Sequence, residues 1–134
     1  MGKSELDCFQ REHIPIIWPQ VRLLIKKALD RGSNYTIDEI YWGLINKDMQ
    51  LWASVNDGRI EAALVTTIQI KDGVKFLRFL TLGGENMKEW KRFMPIVEKW
   101  AKDSGCTKAV AYGRIGWARQ FGFNVEFTKM SKSL

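Results

Sequence analysis

Apolar residues recur along this chain with two periods, and the switch between them marks out the elements. Val21, Leu24, Ile25 and Ala28 repeat at helical spacing behind Ile14-Pro15-Ile16-Ile17-Trp18-Pro19. Pro19 suits a first helical turn, and Gly32 stops the run. A second helix opens at Thr36, where Thr36-x-x-Glu39 forms a capping box ahead of the apolar face Ile40, Tyr41, Leu44 and Ile45, and it ends near Asn46. The period then shortens to two. Leu51 to Val55, Ile60 to Ile70 and Val74 to Leu82 are apolar runs separated by Asn56-Asp57-Gly58 and Lys71-Asp72-Gly73. Asp-Gly between such runs predicts tight hairpins, hence a three-stranded antiparallel meander. In its last strand Phe76, Arg78 and Leu80 alternate with Leu77, Phe79 and Thr81, one face mixed and the other apolar.

Helical spacing returns at Trp90, Phe93, Met94, Val97, Trp100 and Ala101 and continues to Gly105. Asn86-x-x-Glu89 reads as a second capping box, and Pro95 inside the helix is expected to kink it. Ala109 to Tyr112 is a short buried strand, 113–121 a compact turn and short helix, and Asn124 to Met130 a closing strand with a polar tail. Asp7 to Arg11 is a candidate first strand. Trp42, Trp52, Trp90 and Trp100 fall on apolar faces and are expected in the core. The order of elements predicts one α+β domain over residues 1–134, with three α/β/α layers and helices on both faces of a mixed, mostly antiparallel sheet.

Composition narrows the function. At 134 residues with 46% hydrophobic and 12% aromatic content the chain can bury a core of its own. No apolar run is long enough to span a bilayer and the first residues lack a signal-peptide core, so a cytoplasmic protein is expected. Cys8 and Cys106 are far apart and read as free thiols, and with His13 as the one histidine there is no ligand set for a metal. The net charge is +6, and five of those charges fall from Glu85 onward, a mild basic bias that keeps nucleic acid among the candidate partners.

The segments Ile14-Pro15-Ile16-Ile17-Trp18-Pro19 and Gly113-Arg114-Ile115-Gly116-Trp117-Ala118-Arg119-Gln120-Phe121-Gly122-Phe123, together with the element order, resemble the GNAT superfamily of N-acetyltransferases, and among them the small GNAT-like proteins of tailed bacteriophages. The resemblance implies a GNAT-like fold. It also implies a site for acetyl-coenzyme A where two neighbouring strands splay, with backbone amides of a loop at the start of the long helix holding the pyrophosphate. By position that loop is Leu82-Gly83-Gly84-Glu85-Asn86-Met87-Lys88, with Leu80 and Leu82 on the strand that supplies backbone donors. Here the glycines Gly83 and Gly84 are adjacent where the family spaces them, and Glu85 and Glu89 bring negative charge toward an anionic ligand. Lys88 is the nearby cation.

Acetyl transfer to an amine needs a base for the amine proton and an acid for the departing thiolate. The family's usual tyrosine position is Ala118 here, so Tyr112 at the end of the preceding strand is the candidate acid, and Glu61 or a strand-held water the base. Arg114, Trp117 and Arg119 are the candidate contacts for the phosphates and adenine. Plainer readings stand beside these: Gly83-Gly84 as a strand-to-helix turn, Tyr112 as a sheet residue, Trp117 as a core cover, and Lys88, Lys91, Arg92, Lys99 and Lys102 as a solvated helix face. Three functions follow: an N-acetyltransferase of phage or prophage origin acting in the host cytoplasm; a catalytically degenerate GNAT-fold protein binding a host or virion protein; and a nucleic-acid binder through the basic C-terminal half. Salt-sensitive nucleic-acid binding would mark the third.

Overall fold

The computed structural model describes residues 4–30, 35–112, 121, 124–126 and 129–134. In chain order the elements are β1 (Glu5–Phe9), α1 (Ile14–Leu29), α2 (Ile37–Ile45), β2 (Met49–Asn56), β3 (Arg59–Lys71), β4 (Val74–Gly84), α3 (Trp90–Asp103), β5 (Lys108–Tyr112), β6 (Asn124–Glu126) and β7 (Lys129–Ser133). Short 3-10 turns lie at Arg11–His13 and Met87–Glu89. The strand order is β1-β2-β3-β4-β5-β7-β6. The β4–β5 pair is parallel, whereas β1–β2, β5–β7 and β6–β7 are antiparallel, so the sheet is mixed and the class is α+β. The chain divides into two compact units, Met1–Thr66 with Thr81–Met87, and Thr67–Leu80 with Lys88–Leu134.

In the first unit β1 pairs with β2 from Glu5 opposite Val55 to Phe9 opposite Leu51. Helix α1 begins at Ile14 and buries Ile14, Ile17, Val21, Ile25 and Leu29, spaced three and four apart. It therefore starts five residues ahead of Pro19, which lies inside the helix and not at its first turn. Pro15 takes the first-turn place, where a missing N–H costs nothing, and Pro19 removes only one hydrogen bond from a helix otherwise anchored by its buried stripe.

The capping box of α2 forms as expected, with Glu39 N donating to Thr36 Oγ1 and Thr36 N to Glu39 Oε1, both at 3.1 Å. Trp42 departs from expectation: it is 58% exposed and meets Tyr41 edge-on at 5.2 Å between centroids. The buried arc of α2 is only Ile40, Gly43 and Leu44, which leaves Trp42 on the outer side with Asp38 and Glu39. Asp57 and Gly58 both take positive φ, 51° and 76°, the geometry of a twist-matched two-residue hairpin. Buried Trp52 donates its Nε1–H to Thr66 Oγ1 at 3.0 Å, and Thr66 donates onward to Gln50 Oε1 at 2.8 Å.

In the second unit the hairpin at Asp72 and Gly73 repeats the same geometry, with φ of 52° and 78°. Helix α3 buries Trp90, Phe93, Met94, Val97 and Ala101, while Trp100 is half-buried. Its start differs from the expected capping box: Glu89 precedes the first helical residue, Trp90, and its side chain does not cap the amides. Asn86 has been drawn away, for a reason given below. Lys75 ties the far end of α3 to β4, its Nζ donating to Ser104 O and its carbonyl accepting from Thr107 N. That contact launches β5 parallel to β4.

The closing segment is two strands, not one with a tail. β7 pairs with all of β5, from Lys108 opposite Ser133 to Tyr112 opposite Lys129, and also with β6. Lys129, Ser131, Lys132 and Ser133 give no apolar alternation, so the strand carries no hydrophobic signature in sequence. Lys132 is instead held through its head group, which donates to Glu98 Oε2 at 2.9 Å and to Phe121 O at 2.6 Å.

Candidate functional site

Strand β4 is the longer of a parallel pair. Among the described residues its register with β5 joins Phe76 with Lys108, Leu77 with Ala109, Arg78 with Val110 and Phe79 with Ala111. β4 continues through Gly84. On that continuation Leu80 is half-buried, Leu82 is buried, and Thr81 is buried with its Oγ1 lacking a hydrogen-bond partner among the described residues. A buried hydroxyl of this kind is unusual and commonly marks a position that a ligand or water completes. Tyr112 is the last residue of β5, and its backbone pairs with Lys129. Arg114, Trp117 and Arg119 lie outside the described residues.

The loop after β4 is fixed residue by residue within the first unit. A Cβ on Gly83 would stand 3.3 Å from the Cβ of Ala28, so α1 closes directly over it. Gly84 has φ of 137°, and a Cβ there would fall 2.3 Å from the Glu61 carbonyl oxygen and 2.5 Å from the Ala62 Cα. Only glycine fits, because both the backbone conformation and the space exclude a side chain. Immediately beyond, Glu85 N donates to Glu61 O at 2.8 Å, which draws the loop against β3.

The side chains complete this attachment. Glu61 is buried, and its carboxylate accepts from Ser4 Oγ on one oxygen and from Asn86 Nδ2 on the other. Asn86 stands at φ of 54°, a left-handed conformation that asparagine tolerates better than most residues. Its side chain is therefore committed to Glu61 and does not cap α3. One position before it, Glu85 receives Arg59 Nη2 at 2.9 and 3.0 Å. In the second unit Glu89 receives Arg92 through Nη2 at 2.9 Å and Nε at 3.2 Å. Both carboxylates that sequence placed against an anion thus carry a guanidinium partner, and the pairing with Glu85 holds the Arg59 guanidinium above its ordinary range. Lys88 is exposed.

Of the residues singled out in sequence, Gly83, Gly84 and Glu61 are brought together, with Leu82 preceding them on β4. Ser4, Arg59 and Asn86 were not singled out as site residues. Ser4 and Asn86 stand 57 and 25 positions from Glu61, and no local spacing signals such pairs. Asn86 alone offered a hint, as an asparagine just beyond Gly83-Gly84-Glu85 that read as a helix cap.

A scan against family models finds no match to this chain, and a search of curated proteins finds none either. Solved structures do resemble it over nearly its whole length. A GNAT family acetyltransferase from Brucella melitensis in complex with acetyl-CoA superposes with a TM-score of 0.71 at 12% identity, covering 98% of this chain and 90% of that one. The aminoglycoside 6'-acetyltransferase type Ii gives 0.74 at 13% identity, covering 96% of each chain. The PaiA N-acetyltransferase from Thermoplasma acidophilum in complex with coenzyme A gives 0.66 at 16%, covering 98% of this chain and 99% of that one. The fold is that of the GNAT acetyltransferases.

Proposed function

We propose that this protein is an N-acetyltransferase that moves an acetyl group from acetyl-coenzyme A to an amine. One observation carries the reading: among the described residues β4 pairs in parallel with β5 over four residue pairs, and β4 runs on into a glycine-containing loop held at residues 84–86 and leading to α3. Two of the similar solved structures hold acetyl-CoA or coenzyme A, which supports the same ligand here. The residues present suit it. The N-cap residue of α3, Glu89, does not cap it with its side chain, and Glu85 and Glu89 are each paired with an arginine.

Acetyl-coenzyme A would supply an activated acyl thioester. The chain's part is positioning and proton handling. Backbone N–H groups of β4 near Leu80 and Leu82 would polarise the thioester carbonyl, and the loop amides with Lys88 would hold the pyrophosphate. Arg114, Trp117 and Arg119 are assigned to the remaining phosphates and the adenine. Tyr112 would protonate the thiolate as the carbon–sulfur bond breaks and the new amide bond forms. Glu61, the other residue expected to move a proton, is tied to Ser4 and Asn86 through its two carboxylate oxygens, so we assign the amine proton to the strand-held water. A phage or prophage setting and action in a host cytoplasm belong to this proposal through the resemblance of the segments quoted above. Among the described residues no helix is long and apolar enough to cross a membrane.

The test is the unfolding midpoint measured with acetyl-coenzyme A, coenzyme A and ATP, followed by thiol release with a panel of amines. A saturable shift with the coenzymes and not with ATP is expected, since a ligand at 100 times its Kd stabilises by about 2.7 kcal/mol. Absence of any shift at millimolar coenzyme refutes the proposal and leaves binding of a host or virion protein as the reading to pursue.

A further inference from the structure

From the attachment of the β4–α3 loop to β3 we infer that Glu61 is a positioning residue: its buried carboxylate locks Asn86, and through Asn86 the loop, into the shape that receives the coenzyme. The inference rests on the acetyltransferase reading for its functional consequence, but its structural half stands apart from it.

Three features converge on this side chain. Glu61 is 5% exposed, and a carboxylate so deep needs hydrogen-bond donors to offset its lost hydration. The donors come from two segments remote in sequence, Ser4 ahead of β1 and Asn86 ahead of α3. A single acid on β3 therefore fixes both. The backbone of the same residue takes part as well, because the Glu61 carbonyl accepts from Glu85 N and occupies the space a Cβ on Gly84 would need. The loop is consequently held on three successive residues: Gly84 by shape, Glu85 by its amide, Asn86 by its side chain. Asn86 sits in a left-handed conformation that asparagine tolerates, and the bond to Glu61 ties its side chain down in it. A preset loop binds an anion without first losing conformational freedom, so the expected effect of the lock is on coenzyme affinity.

A general base and a lock respond differently to substitution. Glu61→Gln abolishes a base, yet it retains an oxygen for Ser4 and presents an N–H to the Asn86 carbonyl oxygen once that amide turns over. Glu61→Ala and Asn86→Ala remove the lock, and Asn86→Ala leaves any base in place. The experiment measures, on the full chain, amide hydrogen exchange across residues 84–89 without ligand, coenzyme affinity by calorimetry, and the kcat and pH profile of acetyl transfer for these three variants. Circular dichroism confirms that each is folded. Faster exchange in the loop and about tenfold weaker coenzyme binding are expected for Glu61→Ala and Asn86→Ala, with kcat at saturation and the pH profile kept. Glu61→Gln is expected to recover most of both losses relative to Glu61→Ala. Loop exchange unchanged in Glu61→Ala overturns the inference. So does a Glu61→Gln variant with native loop exchange and native affinity but loss of kcat and of the acidic limb of the pH profile. If the wild-type chain binds no coenzyme, the acetyltransferase reading falls while the exchange comparison still decides whether Glu61 locks the loop.

Discussion

Arg59 Nη2 lies 2.9 and 3.0 Å from the two carboxylate oxygens of Glu85, so the acid at the head of the β4–α3 loop is answered by a cation from β3. Both side chains are mostly exposed, and such a pair contributes little to stability. Its expected importance is electrostatic. Arg59→Gln leaves Glu85 uncompensated beside the proposed phosphate site and is expected to weaken acetyl-coenzyme A binding several-fold with little change in Tm. Glu85→Gln is expected to tighten it, and both differences should shrink as salt is raised toward 1 M. Calorimetric titration at two ionic strengths checks this; equal affinities for the two variants would count against it.

Gly84→Ala is expected to be among the most damaging single substitutions in the first unit. The new methyl would collide with backbone atoms of Glu61 and Ala62, which cannot turn aside as a side chain can, at a φ that alanine rarely adopts. A loss of about 3 kcal/mol is expected, seen as a fall in Tm of about 10 °C. A fall of only a degree or two would show that the loop can move off β3.

Two tryptophans that look equivalent in sequence are expected to behave oppositely. Trp90 is fully buried with its ring edge-on to Phe93 at 5.6 Å, and Trp90→Ala is expected to cost about 3–5 kcal/mol. Trp42→Ser removes an exposed ring that meets Tyr41 edge-on and is expected to cost under about 1 kcal/mol. Urea unfolding of both variants, with unchanged denaturant slopes, provides the comparison.

That contrast shows where the sequence was legible and where it was not. Periodicity and Asp-Gly turns located the helices and the meander, because each rests on contacts a few residues apart. The α2 capping box was equally visible. Trp42 was misplaced because period alone does not say how wide the buried arc of a short helix is. The capping box at Asn86 failed for a related reason: its side chain had a better partner 25 residues away. β7 was hidden because it is held by pairing to β5 and by the Lys132 head group, with no apolar alternation to betray it. At the candidate site the glycines were found and their anchors were not, since Ser4 and Asn86 meet Glu61 only after the chain has folded.

The two thiols give a further prediction. Burial pushes the Cys106 thiol pKa up, and the charge of Lys75 opposes part of that rise. A raised pKa means less thiolate at a given pH, so at pH 8 buried Cys106 is expected to alkylate slowly and behind exposed Cys8. The linked stability is present below the unfolded thiol pKa of 9.0 and is lost as pH rises through the folded value. Mass spectrometry after timed iodoacetamide exposure, native and in urea, follows both sites; faster modification of Cys106 than of Cys8 in the native protein would contradict the burial argument.

The strand order also sets how these molecules meet one another in concentrated solution. Among the described strands β1 lies at one end, five residues long with Glu5 and Asp7 in it. A strand from a neighbouring molecule that tried to extend the sheet there would meet two carboxylates. That border is poorly suited to growing into a fibril, and strand addition at β1 is expected to be disfavoured where a longer, apolar border would seed aggregation.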